Sequence, residues 1–382
     1  MDRPAGTHRR APPGGRSKPM SGAGYAFPHL YLSVPGEEEL PAAHWADALL
    51  GERHLRPDMP GLSDPLQSLL VGGGRPEALG SDLPERVRQV TGPDALREIG
   101  EWTVELSDHR MSGSVIAAWL SGGVTRLSLR GAAAAPGSLA RLAKLCGGRA
   151  AFGVDLPLAS VSPAAVGDRI RELVGLGAGS LAFVEGVGIG DNGEAARDPE
   201  RLREAWLVAA EEVGRAGWSF LDLAFAFGPA PCPIHPQAIA RRNPVLGLGP
   251  GAVTFRHPRR RWNHMDSHSY VEAIRRGEDP LGGREALTRA EGRLERCWTA
   301  LRSARGLRLP SPACASMPWF QRWQEANWLV CRESRGVAPD RLRLAPEGWL
   351  VADGLAVELA VEMDRIPSGG STDHPEFQNF EE

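Results

Sequence analysis

Short apolar runs alternate along this chain with stretches of helical spacing, and that alternation restricts it to an α/β fold built on a parallel sheet. His29–Val34 (HLYLSV) reads as a strand behind Pro28, and Leu66–Val71 (LQSLLV) as one that runs into Gly72, Gly73 and Gly74. Trp102–Leu106 and Val124–Leu129 alternate apolar and polar residues, and Ala150–Leu156, Ser180–Val184 and Ser219–Ala224 continue the series. Helix signals fall in between. Ser162 and Pro163 place a cap and then a first-turn proline, followed by one apolar face of Val166, Ile170, Leu173 and Val174. Asp198 and Pro199 repeat the device ahead of Leu202, Ala205, Trp206, Ala209 and Val213, and Gly217 ends that helix. A barrel and an open wound sheet both satisfy this order.

The character changes after about Phe255. His257–Trp262 (HPRRRW) reads as a basic loop. Ser267–Arg275 and Thr288–Arg302 read as helices, the second with a Thr288/Glu291 capping box. Trp319–Val330 is a further helical run, Arg341–Leu344 a short strand, and Pro346–Glu358 a final helix. The expected division is a tail over 1–27, a β/α barrel over 28–255, a helical, winged-helix-like domain over 256–365 and a second disordered tail over 366–382.

The net charge of −3 argues against a dedicated nucleic-acid binder. Lys18 and Lys144 are the only lysines. Because the arginines are spread along the chain, that bias reads as genome composition rather than as an anion-recognition surface. No stretch reaches the roughly 18 apolar residues of a membrane helix, and the first residues lack an apolar signal core, so a cytoplasmic protein without a membrane span is expected. Cys146, Cys232, Cys297, Cys314 and Cys331 are scattered and form no short metal knuckle. They suit reduced thiols packed as small hydrophobes.

Several segments, in order, resemble the HemW-like radical SAM proteins related to oxygen-independent coproporphyrinogen III oxidase. His29–Pro35 resembles the strand leading into that family's cluster loop, Val71–Pro76 (VGGGRP) its Gly-Gly-Gly-Thr-Pro turn, and Glu101–Leu106 (EWTVEL) its Glu-x-Thr-x-Glu strand. Gly123–Leu129, Leu246–Ala252 (LGLGPGA), Arg261–His264 (RWNH) with Tyr270, Glu295–Leu307 and Arg341–Asp353 are similar to later family segments. The resemblance implies a partial triosephosphate-isomerase-like barrel of radical SAM type with a C-terminal helical, winged-helix-like domain.

The departures from the family pattern bear on chemistry. Where the family carries Cys-x-x-x-Cys-x-x-Cys, this chain reads Gly36–His44. Aligned without gaps, Glu37, Pro41 and His44 take the cysteine positions; aligned with a gap, the loop is shortened and His44–Leu50 is already the following helix. Either alignment removes the 4Fe-4S ligands and with them the electron source for cleaving SAM. Arg75 stands at the family's Thr, and the family's later Gln falls on Ala132.

The resemblance implies a residual SAM site at Gly72, Gly73, Gly74 and Glu105; the competing reading is a tight strand-to-helix turn beside a capping or solvated carboxylate. His235 matches the one histidine left from a family His-Asn-x-x-Tyr-Trp segment linked to heme, with Cys232 as a thiolate alternative; the competing reading is a surface loop histidine. His264, Asp266 and His268 read as polar surface rather than a metal site, and Trp319, Trp323 and Trp328 as core. The leading expectation is a radical SAM pseudoenzyme, a non-catalytic protein of heme or tetrapyrrole handling. Two alternatives stand beside it: a cluster-free SAM- or nucleotide-binding enzyme with Glu105 as acid or base, and a structural partner protein.

Overall fold

The computed structural model describes residues 27–36, 42–56, 66–107, 112–130, 136–185, 198–309, 312–330 and 341–365. Six strand–helix units open the fold: β1 (His29–Val34), α1 (Ala42–Leu55), β2 (Ser68–Gly73), α2 (Leu83–Thr91), β3 (Glu101–Ser107), α3 (Gly113–Ser121), β4 (Arg126–Arg130), α4 (Pro136–Cys146), β5 (Ala151–Pro157), α5 (Pro163–Gly175), β6 (Ser180–Val184) and α6 (Pro199–Arg215). β1 to β6 pair in parallel in sequence order. A hairpin of β7 (Ser219–Asp222) and β8 (Phe225–Phe227) follows, with β8 paired antiparallel to β6 and β7 antiparallel to β8 at the sheet edge. The strand expected at Ser219–Ala224 is present as β7, but it ends at Asp222 and joins the sheet only through the antiparallel β8; Asp222 turns the chain by accepting the Ala224 N–H at 2.9 Å. After α7 (Ile234–Ala240), β9 (Val245–Leu248) returns parallel to β1 on its other side.

The alternation of the strands has a direct cause. Leu30 and Leu32, Trp102, Val104 and Leu106, Leu127 and Leu129, and Val154 and Leu156 are all buried in one core with Trp45, Leu49, Val87, Trp119, Ile170 and Trp206 of the surrounding helices. The intervening residues face the concave side and are mostly polar. Sealing the outer face under helices while leaving a polar interior gives the half-buried pattern that a fully packed parallel strand lacks. Asp198 caps α6 by accepting from the N–H groups of Glu200 and Arg201. Ser162 occupies the cap position of α5 without a side-chain bond, so Pro163 does the starting there.

The sheet continues through β10 (Val253–Arg256), β11 (Arg259–Asn263) and, beyond α8 (Ser267–Arg275), β12 (Leu281–Ala286). Arg259–Asn263, expected as loop, is a strand because its charges find partners across it: Arg260 meets Glu285 at 2.6 Å and Arg261 meets Asp279 at 2.5 Å. The twelve-stranded sheet ends in β12 on one side and β7 on the other, so the barrel stays open. The remaining chain forms α9 (Arg289–Arg302), β13 (Leu307–Arg308), α10 (Pro318–Glu325), β14 (Arg341–Leu342), α11 (Pro346–Trp349) and α12 (Ala352–Arg365), with β13 and β14 paired as a small sheet. The Thr288/Glu291 capping box of α9 is present in both directions. α10 stops at Glu325, short of the expected Val330, because Asn327 takes a left-handed backbone (φ 58°) and Leu329 then bridges to Leu344. Trp319 and Trp323 are core, and Trp328 lies beyond the helix. No helix of the described residues is long and apolar enough to cross a membrane.

Candidate functional site

At the C-terminal ends of the strands, the face where barrels of this kind place their chemistry, Glu105 of β3 lies over the glycine turn. Gly73 donates its N–H to Glu105 Oε2 at 3.1 Å. A Cβ on Gly72 would overlap that carboxylate, and one on Gly74 would overlap the Pro35 carbonyl. Gly73 has φ +98°, a left-handed backbone suited to glycine. The Gly74 N–H goes to the Val34 carbonyl at 2.6 Å and the Arg75 N–H to Pro35 at 3.4 Å. The turn and Glu105 are thus brought together, and the amides of Gly73, Gly74 and Arg75 are taken within the protein. Arg130 of β4 completes the group, 3.4 Å from Glu105 Oε2 and bonded to the Gly73 carbonyl. Arg75 pairs with Glu77 at 3.6 Å.

Tyr31 and Asp155 face the same end and were not picked out in the sequence. Burial and then the Glu105 charge push the Tyr31 phenol up. The same two causes, in that order, push Asp155 up to about 7 against the pull of Arg130. The period-two pattern of β5 would have shown that Asp155 breaks an apolar strand on its inward face. An acid held near neutrality at the mouth of a barrel has the chemistry for binding or proton transfer. It also destabilises the fold: the folded state keeps this proton up to about pH 7, whereas the unfolded chain releases it above 3.8. Asp155→Asn is accordingly expected to be more stable than the parent by about 2–4 kcal/mol at pH 8 and no more stable at pH 4, measured by urea unfolding. Equal gains at both pH values would remove the ionisation argument.

His235 lies at the opposite end of the strands. It is 4% exposed, in the first turn of α7, and not in a surface loop. Its Nδ1 is 3.0 Å from Ser68 Oγ, which is 2.9 Å from His29 Nδ1, and both of those residues begin their strands. Glu101, the first residue of β3, accepts the N–H groups of Ile234 (2.9 Å) and His235 (3.1 Å), satisfying the start of α7. Arg126 bonds to Ser180 beneath Gly153, where a Cβ would leave no room. Burial, and then His29, push the His235 imidazole down to about 3. The ring is neutral, as ligation of iron requires, but it is enclosed in the floor of the barrel.

The other candidates separate as well. Asp266 caps α8 by accepting the Ser269 N–H at 2.7 Å. Cys146 and Cys297 are buried, which pushes both thiols up to about 11, and Cys232 lies beside α7. Among the described residues no group of three His, Cys, Asp or Glu is placed to hold a metal ion. The residues of the mouth do not fit an iron–sulfur cluster: the connection from β1 to α1, Pro35–Pro41, contains no cysteine, and the buried thiols belong to other elements. Glu37, Pro41, Ala132 and Cys331 lie outside the described residues.

LGLGPGA and RWNH have a joint role that spacing did not show. Glu52 of α1 is fully buried and accepts from Arg56 (2.7 Å), the Gly249 N–H (2.9 Å), Asn263 Nδ2 (2.8 Å) and Tyr270 OH (2.8 Å). One carboxylate ties α1 to the β9–β10 turn, β11 and α8. Ser33 adds a bond to the Pro250 carbonyl at 2.7 Å.

Comparison of this architecture with solved structures finds coproporphyrinogen III oxidase (HemN) from Escherichia coli, a radical SAM enzyme, at TM-score 0.64 over 87% of this chain and 90% of that one, with 14% identity. A radical SAM methyltransferase, TsrM from Kitasatospora setae, matches at TM-score 0.29 and 12% identity over 42% of this chain and 36% of that one. No family model and no curated protein matches the chain. The likeness to HemN shows the fold: an α/β barrel like that of HemN, open on one side and followed by a helical part.

Proposed function

We propose that this chain is a binding protein on the radical SAM fold, without radical chemistry, and that the mouth of its barrel takes a tetrapyrrole. The observation that carries the reading is the Glu105 carboxylate seated over Gly72, held by the Gly73 N–H and by Arg130. The polar groups of the turn are satisfied by the protein itself, and the strand-to-helix connection beside them has no thiol. Arg130, its side chain 45% exposed, has donors to spare for a ligand carboxylate. The ligand class is taken from HemN, whose name is coproporphyrinogen III oxidase. The free thiols Cys146, Cys232, Cys297 and Cys314 suit a cytoplasmic protein.

A second reading, a cluster-free enzyme on the same barrel, is favoured by Asp155. A carboxyl that titrates near 7 beside Glu105 and Tyr31 is matched to proton transfer at neutral pH.

Three measurements test these readings together. Anaerobic reconstitution with iron and sulfide is expected to leave far less than a stoichiometric cluster, and full iron loading would sink the proposal. Titration with coproporphyrin III or hemin is expected to give a saturable Soret shift that Arg130→Ala weakens about tenfold, the size of one charge-assisted bond. His235→Ala is expected to leave that shift unchanged, because the ring is enclosed at the other end of the barrel. No saturable shift would overturn tetrapyrrole binding. Heat on titrating SAM into the protein would move the case to the second reading.

A further inference from the structure

A cavity of about 590 Å³ lies away from the mouth, where β7, β8, α7, α9 and the β13–β14 sheet meet. It adjoins the floor: Phe227 in its wall pairs with Ser180, the first residue of β6. Arg241, Arg242, Arg296, Arg305, Arg308 and Arg341 all line it, with His257, and no carboxylate does among the described residues. Phe220 and Phe227 give it an apolar wall.

Guanidinium groups gathered at one cavity set up a positive field that attracts anions. At least five of the six also have partners within the protein: Arg242 has Glu295 at 3.3 Å, and Arg296, Arg305, Arg308 and Arg341 are engaged as well. A guanidinium carries five N–H donors in a planar fork, so one internal partner leaves others for a phosphate or carboxylate. The walls are held in place: the Leu221 carbonyl accepts from Ala304 N–H (3.0 Å) and Ser303 Oγ (3.3 Å), and Leu223 N–H donates to Arg302 (2.9 Å), fastening β7 to the end of α9. The volume is that of a small-molecule site.

We infer that this cleft binds a small organic polyanion carrying two or more phosphate or carboxylate groups on a body with an apolar face. The inference is independent of the reading of the mouth, because the cleft shares no residue with Glu105, Arg130 or Asp155.

Calorimetric titration of the full chain with ATP and with benzenehexacarboxylate, at 50 and 300 mM salt, tests it, with adenosine as the uncharged probe. At least one polyanion is expected to bind saturably and at least tenfold more weakly at high salt; the tighter of the two identifies phosphate or carboxylate as the group recognised. Arg241→Glu is exposed enough to be compatible with folding and is expected to weaken binding at least tenfold. Arg97→Glu, which reverses an exposed cation paired with Asp94 outside the cleft, is expected to change affinity less than twofold. Absence of saturable binding by both polyanions at millimolar concentration overturns the inference. So does equal binding of adenosine, or an equal loss in the two variants.

Discussion

Replacing Glu52 by alanine is expected to cost about 3–5 kcal/mol of folding stability, the range for breaking a buried ion pair by removing one partner. The carboxylate is fully buried, and its four partners come from Arg56, just past the end of its own helix, and from three later segments. Truncation leaves the Arg56 cation, itself 5% exposed, without its counter-charge. It also takes the carboxylate acceptor from the Gly249 N–H and the Tyr270 hydroxyl, and leaves the Asn263 amide with only its second bond, to the Gly249 carbonyl at 2.8 Å. Each such orphan costs about 1–3 kcal/mol before relaxation or water entry. Glu52→Gln keeps an acceptor of the same shape and is expected to lose less than half as much. Urea unfolding of the three proteins checks the order, and a loss below about 1 kcal/mol for the alanine variant would show that the network does not hold α1 to the sheet.

Acid is expected to unfold the protein partly through His235. The folded protein keeps this ring neutral down to about pH 3, whereas the unfolded chain protonates it below 6.5. The unfolded state therefore binds the extra proton, and stability falls as pH drops from 6.5 towards 3. One group contributes at most about 1.4 kcal/mol per pH unit, so its full share is roughly 3–5 kcal/mol. His29 is shifted down by burial and acts in the same direction. His235→Gln removes the titrating group. Its deficit relative to the parent at pH 7.5 is expected to shrink steadily below pH 6.5. Parallel pH profiles for the two proteins would show that His235 is free to take a proton in the folded state.

Much of the fold was legible because the forces behind it are local. The β1 and β6 limits, the Asp198–Pro199 start of α6 and the Thr288/Glu291 box follow from strand alternation and helix-end chemistry, which the chain states within a few residues. The β7–β8 hairpin and the strand at Arg259–Asn263 were not legible. Each depends on what lies beside it: β6 in the first case, Glu285 and Asp279 in the second.

The candidate site divided in the same way. Gly72, Gly73, Gly74 and Glu105 were readable as a turn and a carboxylate and do meet, but Arg130, Tyr31 and Asp155 join them only through strand register. His235 was readable as a residue and not as a location, since its partners Ser68 and Glu101 lie more than a hundred residues away.

The sequence alone determined the alternation that makes an open α/β barrel, and it left the β1–α1 connection without cysteine. Tertiary structure alone decided where charge collects. Arginines separated along the chain read as compositional background, yet six of them, from Arg241 to Arg341, line one cavity, and a single Glu52 gathers residues from three distant segments. Burial and electrostatic fields depend on distance in space, and a one-dimensional reading carries that distance only where neighbours in the chain are also neighbours in the fold.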